Sequence, residues 1–250
     1  MKKTEGEKLW KESKNLDPAN WVERLRSYAI PYYFLPIKRE LVKKMLKGYN
    51  EATFKDLCKE VKEFIQFDKH INIDPDSLVN PENFFLKVNM TAPKDSMNKD
   101  HTGKCLPFFS FEKAFEAVLK SEMCLKELEV TSSISKSGFV IKPVYPVTPD
   151  QEWRVYIREG GLWGMSQYYA SRTSANMSDE YAHASAQKIL AVLSELISYV
   201  KEKSFVADFI CTPTSTVLVD LNVYGVSDPL LFPDYESMAG RLLYNIQTEE

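Results

Sequence analysis

FVADFI (205–210), CTPTS (211–215) and TVLVDLN (216–222) read as two strands and the turn that joins them. Both runs are dense in β-branched and aromatic residues, and the turn is built from Thr, Pro and Ser. With the turn centred on Thr214, Asp208 lies opposite Asp220 and Ile210 opposite Leu218. Side chains alternate along a strand, so Asp208, Asp220 and Asn222 share one face. Two carboxylates directly across a ladder repel each other. A hard cation such as magnesium removes that cost, because carboxylate and amide oxygens are the ligands it prefers. Two plainer readings stand beside this one. A register shifted by one residue separates the carboxylates, or Asp220 opens a turn.

Further strands and helices surround this hairpin. EWRVYIR (152–158) alternates strictly, with Trp153, Val155 and Ile157 on one face and Glu152, Arg154, Tyr156 and Arg158 on the other. The Gly160-Gly161 pair turns the chain into LWGMSQYY (162–169), a second hairpin. FFLKV (84–88) and FVIKPV (139–144) are shorter strand candidates. A helix over about 179–201 carries Ile189, Leu190, Leu193 and Leu196 at helical spacing. Residues 110–129 read as one helix, followed by a Ser-rich loop, TSSISKSG (131–138), suited to a mobile segment. The first 80 residues read as helical. Asp17-Pro18 caps a helix over 18–28, and a second covers 37–48. A third, 52–66, lines up Phe54, Leu57, Cys58, Val61, Phe64 and Ile65 as an amphipathic stripe. Such a stripe is a core face or a partner groove, the former being commoner. AIPYYFLPI (29–37) reads as a packed connector. Hairpins beside helices, without alternating βαβ units, make an α+β protein. GxGxxG, GxxxxGK[ST] and GxSxG are all missing from the sequence.

Composition excludes several classes. The 250 residues are 44% hydrophobic and 27% charged, which is globular and neither disordered nor fibrous. At roughly 150 residues per domain, one large domain or two lobes are expected. The net charge of −3 lacks the basic excess of a protein that coats nucleic acid. No run approaches the roughly 18 apolar residues of a membrane span. MKKTEGEKLWKES, at the N-terminus, has no apolar core and is not a signal peptide, so a cytoplasmic location is expected. Cys58, Cys105, Cys124 and Cys211, like His70, His101 and His183, are scattered without zinc-site spacing.

Three cations stand in the middle of strand candidates: Lys87, Lys142 and Arg154. Lysine is seldom buried without a partner, so an inward-facing one wants an anion such as phosphate. Alternatively each points to solvent from an edge strand. Lysines and a magnesium-type oxygen cluster in one chain are the parts that hold a nucleoside triphosphate.

The motifs KVNMTAPKD (87–95), VIKP (140–143), EWRVYIREGGLWGMSQ (152–167) and ADFICTPTSTVLVDLNVYG with SDPLLFPDYE (207–236) occur in that order. Together they resemble those of the cell division cycle protein 123 (D123) family, a divergent branch of the ATP-grasp fold. The resemblance covers about residues 84–236. It implies an ATP-grasp-like region over 81–250, preceded by the helical region 1–80. Its smaller lobe (about 81–146) and larger lobe (about 147–250) carry antiparallel sheets that clasp Mg-ATP. Residue by residue, it implies that Lys87 and Lys142 face the phosphates. Pro143, Val144 and Tyr145 line the adenine, and Glu152 orients Arg154 or the nucleotide. Arg154 stands for the arginine of the family's E-F-R motif. Asp208, Asp220 and Asn222 form the metal side. The sequence departs from the family pattern at three places: Lys142 replaces an arginine, Met90 a tryptophan and Val223 a proline.

The implied cofactors are ATP and Mg²⁺. The implied function is an ATP-dependent assembly factor for a protein partner, which in eukaryotic members is translation initiation factor 2. An ATP-dependent carboxylate–amine or carboxylate–thiol ligase acting through an acyl phosphate is the alternative. A binding protein with a decayed nucleotide site is a third reading. No residue is assigned a catalytic role.

Overall fold

The strand-forming runs of the chain sort into two separate sheets. The computed structural model describes residues 13–21, 24–30, 33–67, 84–99, 105–134, 136–145, 147–169 and 176–245. The chain divides into two compact units. One comprises Pro31–Tyr145 with the segment up to Lys14, and the other Pro146–Glu250 with Asn15–Ile30.

In the first unit, β1 (Tyr33–Pro36), β2 (Phe84–Val88) and β3 (Gly138–Pro143) form an antiparallel sheet in the order β1-β3-β2. The stretch read as a connector therefore contains a strand. Pro36 stands opposite Gly138, and the Phe34 ring occupies the space where a Cβ on Gly138 would lie. Only glycine lets the strand and the ring meet there.

Alternation places Leu35, Leu86, Val88, Phe139 and Ile141 on one face of this sheet. They pack in one core with α1 (Arg39–Met45), α2 (Glu51–Phe67), α3 (Phe111–Lys120) and α4 (Glu122–Ile134). Leu57, Cys58 and Val61 of the α2 stripe are buried in that core, and Phe54 packs against it. The side chains of Phe64 and Ile65 lie outside the described residues.

The run read as one helix over 110–129 is broken at Ser121, whose ψ of 114° is extended. Ser121 Oγ accepts a hydrogen bond from Cys124 N at 3.1 Å and so caps a new helix. That helix, α4, also takes in Thr131–Ile134, half of the stretch expected as a mobile loop. The Thr131 hydroxyl is buried, 2.9 Å from the Glu127 carbonyl and 2.8 Å from Ser137 Oγ.

The second unit is built on a five-stranded sheet in the order β7-β6-β4-β5-β8. Its strands are β4 (Glu152–Arg158), β5 (Gly161–Gln167), β6 (Phe205–Cys211), β7 (Thr216–Val223) and β8 (Arg241–Leu243). The sheet is largely antiparallel, as expected from the hairpins, but mixed, since the short β8 runs parallel to β5. The turn between β4 and β5 consists of Glu159 and Gly160, both at positive φ, one residue earlier than the Gly-Gly reading placed it. Such a two-residue turn needs left-handed backbone at both positions, and its twist matches that of the strands.

Helix α5 (Asp179–Tyr199) buries Ala182, Ser185, Ile189, Leu193 and Leu196. It covers the sheet face carrying Trp153, Val155, Phe209 and Met165. Of the helix expected over 18–28, Pro18–Trp21 is helical, 22 and 23 lie outside the described residues, and 24–28 form turns. Further along, Ile30 N and Leu218 N bond to Leu218 O and Tyr28 O, drawing this segment alongside β7. Exposed backbone on an edge strand offers bonds that outcompete a short helix. No helix among the described residues is long and apolar enough to cross a membrane.

Candidate functional site

The sheet face opposite α5 carries charges in its interior. β6 lies between β4 and β7, and the register sets Arg154 opposite Asp208 and Asp208 opposite Asp220. These three side chains form one row across three strands. The Asp–Asp pairing is the one read from the hairpin, but Ile210 meets Val217 and not Leu218. A β-bulge beside the Asp pair inserts Val219 on β7, which shifts the register on the turn side only.

Arg154 is 6% and Asp208 4% exposed. Arg154 Nε donates to Asp208 Oδ1 at 2.7 Å and Nη2 to Oδ2 at 3.0 Å, a bidentate pair. Asn222 Nδ2 also donates to Asp208 Oδ2, at 3.0 Å. The third guanidinium nitrogen, Nη1, donates to the Asp228 carbonyl at 3.1 Å, which also accepts from Tyr156 Oη at 3.0 Å. The guanidinium lies over the Tyr168 ring, 4.9 Å from its centroid. Burial opposes the charge of Arg154, yet the Asp208 carboxylate outweighs it and raises the guanidinium pKa further. Burial first, and the Asp208 charge with it, pushes the Tyr156 and Tyr168 phenols well above the ordinary tyrosine range. Both remain protonated at neutral pH.

The balance of charge differs from the one expected. A hard cation is one way to offset the repulsion between Asp208 and Asp220, and here the Arg154 guanidinium supplies a positive charge beside Asp208. Two carboxylates against one guanidinium leave a net charge of −1 in the row. Among the described residues no group of three or more His, Cys, Asp or Glu side chains is gathered for a metal. The candidate set is therefore two carboxylates and one amide. Asp220 and Asn222 are half-buried, two apart on β7 and on the same face. Asn222 turns its nitrogen to Asp208, which leaves its carbonyl oxygen as an acceptor. This all-oxygen donor set fits magnesium.

Glu152 is buried two residues before Arg154 on the same strand face, and its carbonyl accepts from Tyr168 N at 2.8 Å. Tyr156, Tyr168 and the Asp228 carbonyl were not assigned from the sequence. Tyr156 lay on the polar face of the β4 alternation, which was a usable signal. A backbone carbonyl leaves no such trace. The stretch after β7 also covers the neighbouring part of this face, where Phe232 and Met238 pack on Tyr156 and Val206.

Lys87 and Lys142 belong to the other unit. Lys87 pairs with Val140 and Lys142 with Phe85, so alternation puts both lysines on the sheet face away from the helical core. Lys87 is 6% exposed although β2 is an edge strand, which removes the solvent-facing reading for this residue. Lys142 is half-buried on the central strand. Pro143 is buried as the last residue of β3, and Val144 and Tyr145 follow it half-buried. The predicted residues thus form two sets: Lys87 to Tyr145 on the first unit, Glu152 to Asn222 on the second.

The D123 family model matches residues 38–249. Cdc123 from Schizosaccharomyces pombe superposes with a TM-score of 0.65 at 17% identity, over 94% of this chain and 98% of that one. Its C-terminally truncated form gives 0.68, with the same identity and coverage. These likenesses show the fold. A D-alanine–D-alanine ligase from Helicobacter pylori aligns at 0.44 and 11% identity over 89% of this chain and 58% of that one, too distant to carry an argument. None of the curated proteins matches the chain.

Proposed function

The chain belongs to the D123 family, and from that premise we propose that it binds Mg-ATP and acts in the cytoplasm as an ATP-dependent assembly factor for a protein partner. The partner class that the family resemblance suggests is translation initiation factor 2 or a protein like it. The observation that carries the reading is the row of buried Arg154 and Asp208 with half-buried Asp220, and Asn222 bonded into it. Burying such charges costs desolvation that mutual attraction seldom repays, so the row is poor value as scaffold. Groups of this kind concentrate at functional sites.

Magnesium, when bound, neutralises the triphosphate and orients it. Asp208, Asp220 and the Asn222 carbonyl would hold the ion. Lys87 and Lys142 would donate N–H groups to phosphate oxygens, and Pro143, Val144 and Tyr145 would line the adenine. The Glu152 carbonyl holds the Tyr168 backbone, and the Tyr168 ring supports the guanidinium plane. A ligase would need an arginine on its carboxylate or acyl phosphate. Here Arg154 has Nε and Nη2 on Asp208, so the ligase reading requires that pair to open first.

Calorimetry with ATP, with and without Mg²⁺, tests the cofactor. Tight Mg²⁺-dependent binding with little ADP formed is expected. ADP formation stimulated many-fold by a small carboxylate would replace this reading with the ligase.

A further inference from the structure

We propose that Arg154 is the resident counter-cation of Asp208, and that a divalent cation takes Asp208 from it, turning the freed guanidinium into a phosphate-binding fork. The inference rests on the Mg-ATP reading and adds to it an order of events within the site.

Asp208 already accepts three N–H donors on its two oxygens, leaving about one of its lone-pair positions. A divalent cation on the same carboxylate would sit beside a guanidinium of like sign. In a buried setting that repulsion is poorly screened, so the two cations compete for Asp208.

Arg154 has somewhere to remain when it loses. Its Nη1 bond to the Asp228 carbonyl and its stacking on Tyr168 involve neither Asp208 oxygen. These contacts keep the guanidinium in place while Nε and Nη2 are released. Two parallel N–H donors in fixed fork geometry suit a phosphate, as a lysine would not. The arriving metal would then prepare the site for the anion that accompanies it.

The test measures Mn²⁺ binding without nucleotide, by loss of the free-ion electron paramagnetic resonance signal. Arg154→Met is expected to bind Mn²⁺ roughly tenfold tighter than wild type, the size of one charged hydrogen bond. Adding Asp208→Asn to that variant should abolish the gain. Arg154→Lys keeps the charge and loses the fork, and should gain less than Arg154→Met. It serves as the variant if the methionine form does not fold. In the wild type, the Arg154 Nε–H resonance, identified by its absence from Arg154→Lys, should move when Mg²⁺ is added to saturation. Mn²⁺ binding no tighter in either Arg154 variant, or an unmoved resonance, overturns the proposal. Asp220→Asn separates it from the underlying reading. If that variant binds Mn²⁺ and Mg-ATP like wild type, the metal assignment itself has failed.

Discussion

Asn89 and Gly138 hold each other through two hydrogen bonds, Asn89 N to the Gly138 carbonyl at 3.0 Å and Gly138 N to Asn89 Oδ1 at 2.9 Å. The same side chain donates to the Lys136 carbonyl at 2.9 Å, and Asn89 is fully buried with a φ of 45°. Asparagine tolerates that left-handed backbone better than other side chains. The clamp joins the end of β2 to the start of β3, two residues from Lys87. It maintains the register that sets Lys87 and Lys142 on one face. Asn89 also begins a glycosylation sequon, NMT, but its amide nitrogen is enclosed and already donating.

Replacing Asn89 by alanine should therefore cost about 2–4 kcal/mol, from two lost side-chain bonds and a left-handed alanine. Asn89→Gly removes the backbone strain but not the lost bonds, and should fall between the two. Urea unfolding of the three proteins measures this. An alanine variant as stable as wild type would show that the clamp contributes little.

Asp95 closes the N-terminus of α4. Its Oδ1 accepts from Ser121 Oγ at 2.5 Å and its Oδ2 from Met123 N at 3.3 Å. Burial pushes this carboxyl up, but those hydrogen bonds outweigh burial and hold it below the ordinary aspartate range. A depressed folded pKa stabilises above the unfolded value of about 3.9, and the contribution fades as pH falls through the folded value. Asp95→Ala should cost about 1 kcal/mol at pH 7, as a lost cap does, and less at pH 3. Thermal unfolding at the two pH values tests it. A gap that widens in acid would contradict the assignment.

Lys87→Met and Lys142→Met should each weaken Mg-ATP binding by about 1.5–3 kcal/mol, the range for hydrogen bonds to charged groups. The buried Lys87 should lie at the upper end and the half-buried Lys142 at the lower. Calorimetry decides this, and a variant that binds like wild type removes its lysine from the site.

ATP affinity should fall steeply in excess chelator, because the row around Asp208 keeps a net negative charge that repels a bare triphosphate. Asp220→Ala relieves that repulsion while removing a metal ligand. The variant should bind Mg-ATP more weakly than wild type and lose most of the Mg²⁺ dependence. Equal affinity for wild type with and without the ion would refute the metal role.

The opposition of Asp208 and Asp220 was legible in the sequence, because two strand-forming runs joined by a short polar turn leave few registers. The strict alternation of EWRVYIR and the stripe of α2 were legible for the same reason: each follows from a local period. The breaks were harder to see. Ser121 ends one helix because Asp95, 26 residues earlier, receives its hydroxyl. Tyr33–Pro36 becomes a strand because Gly138, a hundred residues later, leaves room for Phe34. The bulge at Val219 and the parallel strand β8 likewise depend on partners that local propensity cannot specify.

At the candidate site the sequence by itself supplied the charged residue types and their faces, since parity follows from the strand repeat. Only the tertiary structure decided who neutralises whom. Strand order placed β4 next to β6, so Arg154 stands against Asp208 in the sheet. The register of one hairpin is a local property. The neighbour on its other side is chosen by how the whole sheet buries its apolar face, and that choice set the charge balance of the site.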